Sequence, residues 1–334
     1  MNKQRKGFLS RISIEYSALL LCSATLLASA SPARAAYPEK PVRVIVGFSA
    51  GGPTDIVARA FAAHAAHELG QPFIVENMPG ANTIVAAQFV AQSPADGYTL
   101  LFGATNHSMI PALYSGRIKF DALRSFTPLC SVASSPSILV VGPSMPVKTL
   151  GDFIAQLKAQ PGKHTFATPG IGSSGHFDTE RFLRLTGTSM THIPYKGASQ
   201  AISDLMGGQV DSSIATLGSV LPQLKSGKLT AVAAATAQRL PQLPQVPTFA
   251  EAGVQGYTAE AWYGVLGPAG IPDAARQALI RAATDFAQDS KTADTLNLLG
   301  LRPQHTCGDA FQTQVAHEID EYKTLAHDLD LHIE

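Results

Sequence analysis

An apolar run, Val42 to Val46, leads into Gly47-Phe48-Ser49-Ala50-Gly51, a serine in G-x-S-x-G spacing. That spacing is the nucleophile elbow, where a strand feeds a tight turn and the serine opens a helix. Acyl transfer at such a serine needs a positioned base. The late histidines, His305, His317, His327 and His332, sit in no motif that marks one. Only one strand precedes Ser49, and Ala50-Gly51-Gly52-Pro53 keeps the serine away from the helix start. An exported serine hydrolase using Ser49 is therefore the alternative reading rather than the leading one.

The same residues suit capture without reaction. Gly51 and Gly52 carry no side chains, so main-chain N–H groups can approach a ligand. Pro53 pre-sets the first helical turn. The first N–H groups of a helix lack internal partners and carry partial positive charge, which makes a glycine-rich turn before a helix an anion site. Ser49 and Thr54 add hydroxyls, and Phe48 and Ala50 complete the loop. The device recurs in Thr168-Pro169-Gly170-Ile171-Gly172-Ser173-Ser174-Gly175, ahead of a helix opening at His176. Neither loop holds the lysine of a phosphate-binding P-loop. Two such cradles across a cleft fit a ligand with a carboxylate at one or both ends. Thr105-Asn106-His107, after another strand, is a third candidate loop.

Other polar residues have plain readings. Asp55 serves equally well as a loop cap in a helix's first turn or as a selector of a ligand amine. His107 reads as a satisfied loop histidine, Lys196 as solvated and Asp211 as a loop-fixing carboxylate. Trp262 reads as core or hinge packing. His64 and His67 read as a solvated helix face, without the H-E-x-x-H pattern. No metal site or cofactor is expected.

These loops must be positioned by alternating strands and helices. Strands are predicted at Val42–Val46, Pro72–Val75, Tyr98–Phe102, Ser137–Val141, His164–Ala167, His192–Ile193, Val210–Ile214, Leu229–Ala235 and Ala259–Leu266. Helices are predicted at 54–69, 81–92, 149–159, 176–185, 200–206, 273–289 and 310–327. That alternation predicts α/β architecture on mostly parallel sheets, with ligand loops at the strands' carboxyl ends. The simplest division is a first lobe, 36–141 plus 262–334, and a second lobe, 142–261, with the ligand cleft between them.

Residues 1–35 read as a secretory signal peptide. Lys3, Arg5, Lys6 and Arg11 precede a short apolar stretch, and Ala33-Arg34-Ala35 supplies the cleavage signal. The segment holds five of the 25 basic residues and one of the 25 acidic ones, leaving a formal −4 on the rest. Nothing basic is concentrated enough for nucleic acid. Cys130 and Cys307 remain after cleavage, and export permits a disulfide between them. Spacing alone leaves that pairing open.

The strings "GFSAGGPTDIVAR", "VENMPGA", "SPADGYTLLFG", "HIPYKGASQAISDLMGGQVD", "LPQLKSGKL" and "LPQVPTFAEAG" occur in the order seen in one family. The chain resembles the periplasmic solute receptors of tripartite tricarboxylate transporters, also called Bug receptors. The resemblance implies a type II periplasmic-binding-protein fold that captures a small carboxylate by lobe closure and delivers it to membrane permease subunits. A periplasmic monomer with no enzymatic activity is expected. It maps the first carboxylate loop onto Phe48 to Asp55 and the second onto Thr168 to Gly175. Thr105-Asn106-His107 is expected to face the cleft as well. The chain departs from the family at Asn82-Thr83, where glycines are usual, at Ile110, and at Ser212-Ser213.

Overall fold

The computed structural model describes residues 37–331. The expected signal peptide and His332 lie outside them. By its contacts the chain divides after Glu39, and the unit starting at Lys40 holds every element below.

Strand β1 (Val42–Val46) pairs in parallel with β2 (Phe73–Asn77) and β3 (Thr99–Ala104). Between them lies α1 (Pro53–Leu69), with proline in its first turn and Gly70 closing it in the left-handed conformation (φ 70°). Helix α2 (Ile84–Ala91) leads into β3, and α3 (Asn106–Tyr114) follows it. Strand β9 (Glu260–Pro268) runs antiparallel to β3.

Strand β4 (Phe126–Val141) is sixteen residues long and belongs to two sets of partners. Its first part, Phe126 to Pro136, pairs with β9, and β10 (Arg302–Cys307) pairs along its other edge. Its last part, Ser137 to Val141, pairs with β7 (Ser212–Thr216), while β8 (Thr230–Ala234) pairs with Ile138 to Val141. Beyond β7 lie β5 (Thr165–Thr168) and β6 (Thr191–Pro194), a parallel pair. The order is β2-β1-β3-β9-β4-β7-β5-β6. Helices α4 (Leu150–Ala159), α5 (Ser174–Thr186), α6 (Ala198–Met206) and α7 (Leu217–Lys225) belong to the β5–β8 side. Helices α8 (Asp273–Gln288), α9 (Ser290–Leu298) and α10 (Asp309–Asp328) complete the chain.

The α/β class matches the expectation from sequence, but the sheet is not mostly parallel: five of its nine strand pairings are antiparallel, because the long β4 and β9 run against their neighbours. Four local corrections follow. Helix α2 opens at Ile84, because Ala81, Asn82 and Thr83 all take positive φ. Residues 106–114 and 217–225 are helical despite Pro111 and Pro222. Strand β4 begins eleven residues earlier than predicted, and β10 and α9 were not anticipated.

Apolar burial divides around β4. One cluster joins Leu139, Phe153, Phe166, Phe182, Phe249 and Tyr257. Another joins Ile45, Val90, Leu101, Ile110, Trp262 and Phe311. Trp262 is a core residue: its ring meets Phe311 edge-on at 5.0 Å, and its indole N–H donates to Glu318 at 2.7 Å. Cys130 and Cys307, which are register partners of β4 and β10, form a disulfide. Among the described residues no helix is long and apolar enough to cross a membrane.

Candidate functional site

Five helices begin around one cavity of about 60 Å³. Gly52, Pro53 and Thr54 bring the start of α1, and Thr105 and Asn106 that of α3. Ser173, Ser174 and Gly175 bring α5, Ala198 brings α6, and Thr216 and Ser219 bring α7. None of the five starts has a side-chain cap: Gly52 and Gly197 carry no side chain, and Thr105, Ser173 and Thr216 make no capping hydrogen bond. Away from the cavity, Thr149 and Asp289 cap α4 and α9 by accepting from Asp152 N–H and Thr292 N–H, while α2, α8 and α10 also lack a side-chain cap, so it is the convergence of the five starts that marks the site. No side chain on the cavity wall is charged. Partial positive charge from helix starts therefore sets the sign of the site, and it favours an anion.

Ten of the sixteen residues expected from sequence line this cavity: Phe48, Ser49, Gly52, Thr54, Thr105 and Asn106 from one side, and Pro169, Ser173, Ser174 and Gly175 from the other. The other six, Ala50, Gly51, Asp55, His107, Thr168 and Gly172, do not, and their bonds explain it. Asp55 accepts from Gly51 N–H (3.0 Å), from Arg59 through both oxygens (2.9 and 3.0 Å) and from Asn77 (2.9 Å). Burial opposes its charge, but these donors together hold its carboxyl below the usual range. It fixes the loop, and Gly51 N–H is consumed in doing so. The carbonyl of the neighbouring Ala50 accepts from Ser199 Oγ at 3.5 Å.

His107 is 1 % exposed and donates from Nε2 to the Ala122 carbonyl at 2.7 Å. A carbonyl only accepts, so the ring proton sits on Nε2. Gly172 N–H donates to His176 Nδ1 (3.1 Å), and Thr168 Oγ1 lies 2.6 Å from His192 Nε2 and accepts from Gly170 N–H. Both residues hold the second loop in shape instead of facing the cavity. His176 and His192 stack with centroids 4.2 Å apart.

Ser49 Oγ donates to the Lys196 carbonyl at 3.3 Å. No titratable side chain is bonded to it among the described residues, so the geometry offers no activating base. Asp211 is a loop fastener, accepting from Ser144 Oγ (2.8 Å) and Thr165 N–H (2.8 Å). His67 is exposed, whereas His64 is half-buried with its ring 5.6 Å from Phe286, not on a solvated face. Among the described residues no three metal-ligating side chains gather.

One wall escaped the sequence reading. Ser213, Thr216 and Ser219 line the cavity with Tyr263, and Thr216 Oγ1 lies 2.7 Å from Ser219 Oγ. Burial pushes the Tyr263 phenol up to about 12, so it is a neutral hydroxyl. Serine and threonine in a strand read equally well as a surface, and Tyr263 lies more than forty residues further along.

The buried imidazoles give a pH prediction. Burial lowers His107 and His176 to about 4 and His192 to about 3, against 6.5 unfolded. Below pH 6.5 the unfolded chain takes up protons that the folded one refuses, so acid removes stability until pH 4. Asp178, raised to about 6 by burial, opposes this by one proton below that pH. Three histidines against Asp178 leave a net two protons, so these four groups should lower stability by roughly 2.7 kcal/mol per pH unit between pH 6 and 4. Denaturant midpoints across that range test it, and a flat profile would disprove the burial account.

A family model described as tripartite tricarboxylate transporter family receptor matches residues 57–331. The protein BugT of Bordetella pertussis is 34% identical over 287 residues, 86% of this chain and 88% of that one. Among solved structures, R. palustris Rpa4515 with adipate matches with TM-score 0.86 and 32% identity, over 89% of this chain and 100% of that one. MatC (Rpa3494) from Rhodopseudomonas palustris with bound malate matches with TM-score 0.82 and 30% identity, over 86% and 99%.

Proposed function

As the chain belongs to the family of tripartite tricarboxylate transporter receptors, we propose that it captures a small organic carboxylate in the cavity at the five helix starts. The observation that carries this is the convergence of uncapped N-termini on a wall without charged side chains. Main-chain N–H groups and hydroxyls receive the carboxylate, and Tyr263, Thr216 and Ser219 meet the rest of the molecule. The adipate and malate bound by the two structural relatives support this ligand class.

In this reading the lobes are 36–141 with 262–334, and 142–261, and β4 and the entry to β9 are the hinges. Three bonds bridge the cleft: Ser49 Oγ to the Lys196 carbonyl, Ser199 Oγ to the Ala50 carbonyl, and Tyr114 Oη to the Ile171 carbonyl at 3.2 Å. They form on closure, and a ligand touching both lobes favours the closed state by its extra contacts there. The protein works in the periplasm as a monomer, hands its cargo to membrane permease subunits, and catalyses nothing.

The test is thermal unfolding against a panel of carboxylates. A ligand at one hundred times its dissociation constant should add about 2.7 kcal/mol. Ser49→Ala should weaken binding by only about 0.5–1.5 kcal/mol, the loss of one neutral hydrogen bond. No response to any acid, or an esterase activity abolished by Ser49→Ala, would reject the proposal.

A further inference from the structure

The second loop does two things at once. Pro169, Ser173, Ser174 and Gly175 line the cavity, and Gly170, Ile171 and Gly172 lie between them in the chain. That middle stretch packs on α3. Tyr114 Oη donates to the Ile171 carbonyl. Gly172 takes φ 75°, and a Cβ there would meet Leu113 at 3.1 Å, Asn82 at 3.2 Å and Tyr114 at 3.3 Å. A shift of Gly172 would therefore disturb the cavity wall and the α3 contact together.

Gly172 is held from beneath by a histidine. Its buried N–H donates to His176 Nδ1 (3.1 Å). An N–H needs a lone pair to point at, so this ring is neutral and its proton sits on Nε2. A second proton, on Nδ1, would set donor against donor and leave the Gly172 amide buried without a partner. The ring is 8 % exposed, and its plane is fixed by stacking. His176 stacks on His192 (4.2 Å, 14°), and His192 stacks on Phe166 (4.7 Å, 10°). His192 Nε2 in turn lies 2.6 Å from Thr168 Oγ1, which accepts from Gly170 N–H (3.2 Å).

Among the described residues, the titratable groups at the His176 ring are Glu180, one turn along α5, and His192, from β6. Tyr114, on α3, lies across Gly172 from it. Glu180 Oε1 is 3.9 Å from His176 Nε2, too far for a hydrogen bond, and burial raises its own carboxyl. Burial lowers His176 to about 4, and a charge on it would repel one on His192.

We propose that His176 is the positioning residue of the second loop: its neutral Nδ1 holds Gly172 in the shape that binds ligand, and a proton there weakens capture. The inference rests on the carboxylate reading above. Opening the cleft lets the loop leave His176, so the open form takes up the proton more readily than the closed one. A group whose pKa is lower in the bound form gives binding that is complete above its open-form value and falls away below it. One proton changes the affinity by at most about ten-fold per pH unit.

The experiment measures the affinity of succinate, glutarate and benzoate by calorimetry, between about pH 8 and about pH 4. It uses the unaltered protein, His176→Asn and His176→Leu, with melting temperatures as the check on folding. Asparagine offers Oδ1 near the place of Nδ1, accepts an N–H and does not titrate; leucine offers no acceptor. At the upper end of the range His176→Asn should bind within about three-fold of the parent, and His176→Leu roughly ten-fold or more weakly. The ratio of parent to His176→Asn affinity cancels the ligand's own titration. It should fall with acid, by up to about ten-fold per pH unit. Nitrogen NMR of the unliganded parent should place the His176 proton on Nε2, with the Gly172 amide signal moving as the ring titrates. A flat ratio, His176→Leu binding as tightly as the parent, His176→Asn binding as weakly as His176→Leu, or a proton on Nδ1 each overturns the proposal. Should His176→Leu not fold, the ratio and the NMR signal decide. If no acid binds the parent, the carboxylate reading itself fails and takes this inference with it.

Discussion

Replacing Cys130 and Cys307 together by serine should lower the stability of the protein by up to about 5 kcal/mol, the loop-closure value for a separation of 177 residues. That is comparable to the whole net stability of many domains. The bridge ties β4 to β10 at an in-register pair, and the chain between the two cysteines includes the whole β5–β8 region. The unfolded chain therefore loses much of its freedom when the bridge is made. Denaturant unfolding of the oxidised protein, the reduced protein and the double variant measures this directly. The reduced protein and the variant should agree with each other and fall well below the oxidised form. Equal midpoints for all three would show that the unfolded state gains nothing from reduction. The dependence also suits an oxidising compartment, where such a bridge persists.

The second large effect belongs to Gly264. It sits in β9 between two neighbours, opposite Gly103 of β3 and Ser131 of β4. The β4 register shifts on either side of this contact, between Pro128 and Cys130 and between Ser131 and Ala133. The close approach lies between these two irregularities. A Cβ built at Gly264 would lie 2.5 Å from the Cys130 carbonyl oxygen and 2.9 Å from the Ser131 Cα. Both are main-chain atoms, so no side chain can swing aside. Gly264→Val should cost about 3 kcal/mol, the upper part of the overpacking range, and lower the melting temperature by roughly 6–12 °C. Gly151→Ala is the control: its nearest neighbour would be 3.8 Å away, and it lies within α4. That change should be neutral or stabilise by up to about 1 kcal/mol. Similar melting temperatures for the two variants would reject the close-approach argument.

What the sequence revealed, and what it hid, follows from which forces dominate locally. Strand β1 and helix α1 were legible because burial and punctuation agree: a short apolar run, then Pro53, and Gly70 at the end. The first part of β4 was hidden. Ser131, Ser134, Ser135 and Pro136 look like a loop, yet pairing with β9 buries them, and side-chain bonds to Gln304, Glu260 and the Gly300 carbonyl satisfy the three serines. Strand β10, Arg-Pro-Gln-His-Thr-Cys, has no apolar alternation because it pairs with β4 alone and carries no fully buried side chain. At the site, glycine-rich turns before helices were readable, since their chemistry is local. The wall of Ser213, Thr216, Ser219 and Tyr263 was not, because only the pairing of distant strands brings it together. The same locality misled at Gly51 and Gly172, whose N–H groups are taken by Asp55 and His176.

The uncapped helix starts have one more consequence. Donors supplied by the main chain are present whatever side chains stand around them. Point mutation in the wall alters shape, hydroxyl content and length of fit, but leaves the electropositive floor in place. If the site takes a carboxylate as proposed, single substitutions in the wall would change which acid fits without removing the main-chain donors that hold the anion. On the carboxylate reading, a change of cargo has its raw material in the wall of β7 and Tyr263 rather than in the turns that the eye finds first.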